Sequence, residues 1–266
     1  MKTETKTGST AMKDEMAAWK NGEPGRLNAR GMSIPQSEAA PGRDSILVDE
    51  TRGIFIVSDA LPVHSRSDVA EEMAVRLLPG MLEEEMTGAA SAGDVHSAMT
   101  SAAARMNERV LDKMVHEKEL RGMGASIVMA VVKKGAAHIL HLGGCRAYLA
   151  SAGRLHRITR DHTLHNLLEE RTPGAPHELE NPGYITRFLG KRFRRPPVVK
   201  MLPLAPGDLL LLTSPGLHDT IGDTMLLEKV RIAATPGQVC DALSTAMAES
   251  APGTPASAIA IGFSIH

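Results

Sequence analysis

The chain has 266 residues, of which 30 are Lys or Arg and 31 are Asp or Glu, so its formal net charge is −1. This balance provides no general attraction to nucleic acid or to anionic membranes. Apolar residues at 42% and charged residues at 23% exclude a disordered or fibrous chain. Aromatic residues make up only 3%, which argues against a base-stacking platform for nucleic acid.

The two cysteines, Cys145 and Cys240, cannot form a disulfide framework or a cysteine-only zinc site. The N-terminus is polar, and the sequence contains no apolar stretch long enough to cross a membrane. We therefore expect a soluble, cytoplasmic protein in a reducing compartment, with no membrane and no nucleic acid among its partners.

The elements follow from composition and periodicity. Residues 1–28 lack periodicity, so we expect a mobile N-terminal segment there and one domain over residues 29–266. Short apolar runs predict strands at 46–48, 54–57, 127–132, 137–142, 146–150, 198–202, 209–212 and 258–265. Apolar residues at three- and four-residue steps predict helices at 67–85, 92–120, 224–233 and 236–249. Pro79-Gly80 is expected to kink or break the first helix.

The three predicted strands between 127 and 150 are expected to be consecutive antiparallel neighbours. Strands and helices come in separate groups along the chain rather than in β-α alternation. This order predicts an α+β fold.

Short motifs in the chain resemble those of the type 2C metal-dependent protein phosphatase (PPM) family. They are Gly42-Arg43-Asp44, Ser58-Asp59-Ala60 with His64, Gly143-Gly144-Cys145-Arg146, Thr159-Arg160-Asp161-His162, Ser214-Pro215-Gly216 and Gly253-Thr254-Pro255. The family has at these places Asn-Glu-Asp, Ala-Asp-Gly with His, Gly-Asp-Ser-Arg, Thr-x-Asp-His, Ser-Asp-Gly and Asp-Asn-x-Thr. The ordered set is more specific than any single motif.

The resemblance implies two stacked antiparallel β-sheets flanked by helix pairs. It also implies a chemistry in which two Mn²⁺ or Mg²⁺ ions activate a water that attacks phosphoserine or phosphothreonine. Asp59 matches the bridging metal ligand, Ala60 the position that offers a backbone carbonyl, and Asp44 an acid that acts through metal-bound water. Arg146, Asp161 and His64 match other motif residues, and His64 is expected to be structural.

Other family ligand positions are replaced in this chain. Arg43 stands where the family has a metal-binding Glu, and a guanidinium is permanently charged. Gly144, Pro215 and Thr254 stand where the family has Asp, and Ala39 where it often has an Arg that holds the substrate phosphate. We expect an Arg43–Asp59 or Arg43–Asp44 salt bridge in place of one metal.

Two hypotheses follow. The first is a catalytically impaired regulatory or protein-binding pseudophosphatase that needs no cofactor, has no assignable catalytic residue, and binds a phosphoprotein or a kinase. The alternative is a divergent, active Mn²⁺- or Mg²⁺-dependent Ser/Thr phosphatase that uses Asp44, Asp59 and non-standard ligands such as Asp219 or Asp223. A small-molecule binder is a third class without support from particular residues.

Other motif residues have simpler interpretations. Asp161 is expected to cap the following helix. His162 and His165 are expected to be surface residues on one helix face rather than zinc ligands, and Cys145 a buried thiol. The basic run 191–195 is expected to be a solvated loop, with contact to an acidic or phosphorylated partner as the alternative.

Overall fold

The computed structural model describes residues 26–35, 45–62, 66–87, 92–174 and 178–264. Ten strands are found in these ranges, and they form two antiparallel five-stranded sheets. The strands are β1 (Arg26–Ile34), β2 (Ile46–Asp49), β3 (Ile54–Ala60), β4 (Ala125–Lys133), β5 (Ala136–Leu142), β6 (Arg146–Ser151), β7 (Arg154–Arg157), β8 (Val199–Pro203), β9 (Leu209–Thr213) and β10 (Ala256–Ser264). The orders are β1-β10-β9-β6-β7 in one sheet and β2-β3-β4-β5-β8 in the other.

Five α-helices are found in the same ranges, together with a short 3₁₀ turn at Lys118–Leu120. They are α1 (Ser67–Met86), α2 (Ala92–His116), α3 (Leu164–Arg171), α4 (Pro215–Ile232) and α5 (Pro236–Ser250). None of the helices in the described part of the chain is long and apolar enough to span a membrane.

The two sheets stack face to face, and each carries a helix pair on its outer face. Alternate residues of the strands point to opposite faces, so each sheet contributes to two apolar layers. Phe55 and Val57 pack between the sheets, whereas Ile54 and Ile56 pack against α1 and α2. Tyr148 packs against α4 and α5. The expected arrangement of stacked antiparallel sheets flanked by helix pairs is confirmed.

Several details differ from the sequence prediction. Pro79 lies inside α1 and does not end it. The strand β6 does not pair with β5 but lies in the opposite sheet, between β7 and β9. The turn 143–145 between β5 and β6 therefore crosses from one sheet to the other.

The sequence did not predict β1, β7 or the first half of α4, and it gave no bounds for the helix that follows Asp161, which is α3. The last residues of the segment 1–28 belong to β1, which begins at Arg26 and pairs along its whole length with β10. Residues 1–25 lie outside the described residues. The helix α4 begins at Pro215, and its backbone is non-helical only at Gly222, whose φ is +70°.

Candidate functional site

Asp59 lies at the end of β3, where the two sheets approach one another. It is half-buried and stands opposite Ser126 at the start of β4. The hydroxyl of Ser126 accepts a hydrogen bond from the backbone N–H of Gly144, with an N···O distance of 3.1 Å. A Cβ atom on Gly143, whose φ is +94°, would lie 2.2 Å from that same hydroxyl oxygen. The crossing turn can therefore approach β4 this closely only with glycine at position 143.

Gly144 and Pro215, two of the replaced ligand positions, lie against one another. A Cβ atom built on Gly144 would lie 3.2 Å from Cγ of Pro215 and 3.5 Å from Cδ1 of Ile185. The family resemblance places an acid at both positions, whereas here an apolar ring faces a residue without a side chain. The crossing turn and the start of α4 thus form one side of the site.

The loop that carries Thr254 is fixed beside the start of α4. The backbone N–H of Ser214 donates to the carbonyl oxygen of Ser257 (2.9 Å), and the N–H of Ser257 donates to the hydroxyl of Ser214 (2.9 Å). A Cβ atom on Gly216 would lie only 1.9 Å from the carbonyl oxygen of Pro255, so the helix start fits this loop only with glycine there. Position 254 is therefore held near position 215.

A cluster of three hydroxyls joins β1 and the residue before β2 to this loop. The Oγ atoms of Ser33, Ser45 and Ser257 lie 2.5 to 3.1 Å apart, and the carbonyl oxygen of Ser45 accepts from the N–H of Ser58 at 2.7 Å. Ser45 directly follows the Arg43-Asp44 motif in the sequence, and Ser58 directly precedes Asp59. Arg43 and Asp44, like Ala39 and His64, lie outside the described residues, so their expected roles and the Arg43 salt bridge stay predictions.

Arg146 and Asp161 form an ion pair beside the site. The Nη2 atom of Arg146 lies 2.7 Å from Oδ2 of Asp161, and Nη1 donates to the hydroxyl of Tyr148 at 3.3 Å. Arg157 also donates to Asp161. Burial opposes ionisation of Asp161, but the hydrogen bonds and charges of the two arginines outweigh it and hold the pKa of this carboxyl below its usual value.

The ion pair replaces the expected helix cap. The side chain of Thr163, not that of Asp161, caps α3 by accepting from the N–H of Asn166. Asp161 contributes to this helix start only through its carbonyl oxygen, which accepts from the Nδ2 group of Asn166 at 2.8 Å. The N-cap prediction for Asp161 is wrong because two arginines from β6 and β7 take its carboxylate.

Two carboxylates at the site, those of Asp59 and Asp219, have pKa values above the usual value for an aspartate. Burial, and secondarily the negative charge of Asp219, raise the pKa of Asp59 to about 7. Burial also raises the pKa of Asp219, although Arg146 lies 3.6 Å from one of its oxygens. Asp223, the other acid considered as a non-standard ligand, accepts a hydrogen bond from the hydroxyl of Tyr148 at 2.9 Å.

Three histidines near the site are neutral. Burial lowers the pKa of His218 to about 3, and its Nδ1 lies 2.8 Å from the Thr213 hydroxyl. Burial, followed by the charge of His141, lowers the pKa of His162 to about 3. The rings of His141 and His162 stack with centroids 4.4 Å apart. His162 precedes α3 and stacks inward, so it does not share a surface helix face with the exposed His165.

The described residues of the site do not fit a pair of divalent cations. Mg²⁺ and Mn²⁺ need several oxygen ligands, mostly carboxylates. Gly144 and Pro215 have no side-chain oxygen, and within the described ranges no three His, Cys, Asp or Glu side chains are grouped closely enough to hold a metal. Cys145 is fully buried, and burial raises the pKa of its thiol, so it is not a reactive nucleophile.

Comparison with known proteins gives one family. Residues 57–176 match the family model of Protein phosphatase 2C. The Serine/threonine phosphatase stp of Listeria monocytogenes is 28% identical over 199 residues, which cover 74% of this chain and 79% of that protein. The matched family segment contains Asp59, Gly144, Arg146 and Asp161, and it ends before Pro215 and Thr254.

Solved structures share the fold. The Mycobacterium tuberculosis serine/threonine phosphatase PstP/Ppp has a TM-score of 0.75 at 22% identity, covering 90% of this chain and 99% of that chain. The catalytic domain of PstP in complex with two manganese ions has a TM-score of 0.71 at 20% identity, covering 90% and 98%. The four-layer arrangement of helices and sheets is therefore that of the bacterial PPM phosphatases.

Proposed function

This chain carries a protein phosphatase 2C family domain, and we propose that it is a catalytically impaired member that acts by binding a protein. The observation that carries the proposal is the contact between Gly144 and Pro215. At two positions where the family resemblance places acids, the chain has an apolar ring against a residue with no side chain. A pair of dications at this place would lack the oxygen ligands that they need.

The surrounding framework supports a binding role. The hydrogen bonds of Ser126, Ser214 and Ser257 hold the loops of the site together, and the Arg146–Asp161 ion pair holds β6 to the chain that follows β7. These contacts are made without a metal. A rigid surface of this kind suits a regulatory protein that engages a phosphoprotein or a kinase.

A second candidate function is a divergent, active Mn²⁺- or Mg²⁺-dependent Ser/Thr phosphatase. The relatives in the comparison are named as phosphatases, and one solved neighbour contains two manganese ions. The effect of Asp219 on Asp59 also favours this candidate, because the negative charge of Asp219 raises the pKa of Asp59 and a bound cation would relieve that repulsion. Asp44 would complete such a ligand set.

Manganese titration and a hydrolysis assay distinguish the two functions. We expect no saturable heat of Mn²⁺ binding at millimolar concentration in isothermal calorimetry, and no release of phosphate from phosphoserine or phosphothreonine peptides above background. Turnover in the usual enzyme range of about 1 to 1,000 per second would overturn the proposal.

Two variants identify the source of any weaker rate. Asp59→Asn removes the carboxylate that both hypotheses place at the centre, whereas Asp241→Asn changes an exposed acid on α5 by the same atoms. A Mn²⁺-dependent rate that Asp59→Asn abolishes and Asp241→Asn leaves intact establishes the divergent phosphatase. A rate that both variants retain comes from a contaminating enzyme.

A further inference from the structure

The loop from Arg187 to Arg195, called the basic loop below, concentrates positive charge beside the site. It contains five cationic residues and no acidic residue. They are Arg187, Lys191, Arg192, Arg194 and Arg195. The last four side chains are exposed, and Arg187 is half-buried. Among the residues that the structure describes, no carboxylate lies within salt-bridge distance of any of the five.

The basic loop is held rigidly by its backbone. Asn107, a buried residue of α2, accepts from the N–H of Gly190 at 2.8 Å and donates to the carbonyl oxygen of Lys191 at 3.1 Å. Gly190 has a φ of +101°, and a Cβ atom there would lie 2.4 Å from the carbonyl oxygen of Met123. Arg187 closes the loop by donating from Nη2 to the carbonyl oxygen of Arg195 at 2.7 Å.

Cations of the basic loop lie close to three nearby aromatic rings. The Nζ atom of Lys191 lies 5.8 Å from the ring centroid of Tyr184 and 5.7 Å from that of Phe188. The guanidinium of Arg187 lies 5.7 Å from the ring centroid of Phe193. These contacts fix the cations.

The basic loop borders the Asp59 end of the sheet. Ala125 stands opposite Ala60 on one side and forms a β-bridge with Leu189 on the other, with hydrogen bonds of 3.0 Å in both directions. Leu189 is fully buried. The backbone at the start of the basic loop is therefore joined to the end of the sheet that carries Asp59 and Ala60.

The clustering of cations on the basic loop destabilises the folded protein when no anion is bound. Like charges repel when they are held on one short loop. The backbone hydrogen bonds that anchor this loop prevent its cations from moving farther apart. Burial also lowers the pKa of Arg187, because the partial loss of water disfavours its charged form. A ligand with several negative charges would offset both costs, and its binding would require little ordering of the loop.

We propose that the basic loop binds a phosphorylated peptide segment of a partner protein. Planar guanidinium groups donate paired hydrogen bonds that match phosphate oxygens, and three of the four exposed cations are arginines. Nucleic acid fits less well because the chain as a whole has a net charge of −1. The inference rests on the protein-binding role proposed above and names the chemistry of the partner.

Fluorescence anisotropy with three probes tests the proposal. The probes are a fluorescein-labelled Gly/Ala/Glu peptide with one central phosphoserine, the same peptide with unmodified serine, and a single-stranded RNA. The test variant is the fourfold alanine substitution of Lys191, Arg192, Arg194 and Arg195. The matched control replaces four exposed cations elsewhere, Arg109, Lys118, Arg121 and Arg154, by alanine. Both variants lose the same charge, and both keep the backbone contacts that anchor the loop.

The parent should bind the phosphopeptide at least about tenfold more tightly than the unmodified peptide, since charge-assisted hydrogen bonds to phosphate are strong. The test variant should lose about tenfold or more in affinity, and the control variant less than about twofold. Equal losses in both variants, no preference for the phosphopeptide, or loop-dependent binding of RNA alone would each overturn the proposal. Melting temperatures within a few degrees of the parent establish that both variants are folded.

The outcome is separable from that of the proposed function. If Mn²⁺-dependent hydrolysis is found but phosphopeptide affinity still depends on the basic loop, the loop binds substrate and only the catalytic impairment is wrong. If hydrolysis is absent and the loop variant binds as the parent does, the phosphopeptide proposal is wrong and the impairment stands.

Discussion

The ring of Pro215 and the backbone of Gly144 are sterically matched, since a Cβ atom at position 144 would lie 3.2 Å from the proline Cγ. This distance is shorter than ordinary van der Waals contact, and the proline ring is stiff. Position 144 therefore accepts a side chain only if position 215 yields space. The two replacements act together to keep this side of the site apolar.

A double-mutant cycle tests this coupling. We expect Gly144→Ala to lower the free energy of unfolding by about 1 to 2 kcal/mol, because an extra methyl group in a packed place forces a shift of its neighbours. In the background of Pro215→Ala, which removes Cγ, the same change should cost at least about 0.5 kcal/mol less. Urea denaturation of the four proteins measures both values. Equal costs in the two backgrounds would show that the residues do not press on one another.

The acid Asp161 should contribute strongly to stability. Asp161→Asn leaves the half-buried Arg146 with only the more distant carboxylate of the exposed Asp219, and we expect a loss of about 2 to 3 kcal/mol in the free energy of unfolding at pH 7. The folded pKa of Asp161 lies below its usual value of 3.8, so this stabilisation is present above about pH 4 and is lost as the pH falls below it. The difference between parent and variant should therefore narrow in acid.

Urea denaturation between pH 3 and pH 8, with Asp241→Asn as the control, measures the effect of Asp161. The exposed control should change the free energy of unfolding by less than about 0.5 kcal/mol at every pH. If Asp161→Asn lowers the free energy of unfolding no more than the control does, the ion pair makes no net contribution to stability.

The acid Asp59 should have the opposite pH dependence. Its folded pKa is raised from 3.8 to about 7, so the folded state is stabilised below about pH 4 and loses stability as the pH rises to about 7. We expect Asp59→Asn to be as stable as the parent near pH 4 and about 4 kcal/mol more stable at pH 8, since one pKa unit corresponds to about 1.4 kcal/mol. Thermal and urea unfolding across this range measure the difference.

The same titration tests the predicted salt bridge of Arg43. A guanidinium against Asp59 would lower the pKa of the carboxyl and reverse the sign of the effect. Asp59→Asn would then destabilise the protein at pH 8. A destabilised variant would thus contradict the expectation from burial and from Asp219, and it would support the Arg43 contact instead.

The sandwich could be predicted because its inner strands and helices have regular apolar patterns. The strands β4 and β5 are almost wholly buried and read as apolar runs. The strand β1, by contrast, is a partly exposed edge strand, and β7 is a four-residue edge strand with charged ends. Neither has an apolar run. The start of α4 had a usable signal that the prediction missed, because proline is common in the first turn of a helix.

The site could be predicted as a set of positions, but its contacts could not. The motif order placed Gly144, Pro215 and Thr254 at one centre, and the structure brings their loops together. The effect of Asp219 on the pKa of Asp59 and the ion pair between Arg146 and Asp161 both join residues that are far apart in the sequence. Both depend on where β6 and α4 pack, which no local pattern specifies.

The final prediction concerns restoration of the metal ligands. The triple change Arg43→Glu, Pro215→Asp and Thr254→Asp adds three acids at family ligand positions and removes the proline ring from Gly144. The hydrogen bonds between Ser214 and Ser257 hold two of these positions together. Without metal the new carboxylates repel one another and Asp59, so the variant should be less stable than the parent.

Manganese should reverse that loss in the triple variant alone. A ligand that binds only the folded state stabilises it by about 2.7 kcal/mol at a hundred times its dissociation constant. For a domain of this size, that corresponds to a rise of roughly 5 °C or more in the melting temperature. The parent should show almost no shift, and so should the triple variant with Asp59→Asn added, because the bridging carboxylate is then missing. A folded triple variant that gains no stability from Mn²⁺ would place the loops of residues 43, 215 and 254 too far apart to share a metal, and the family alignment at these positions would then be wrong.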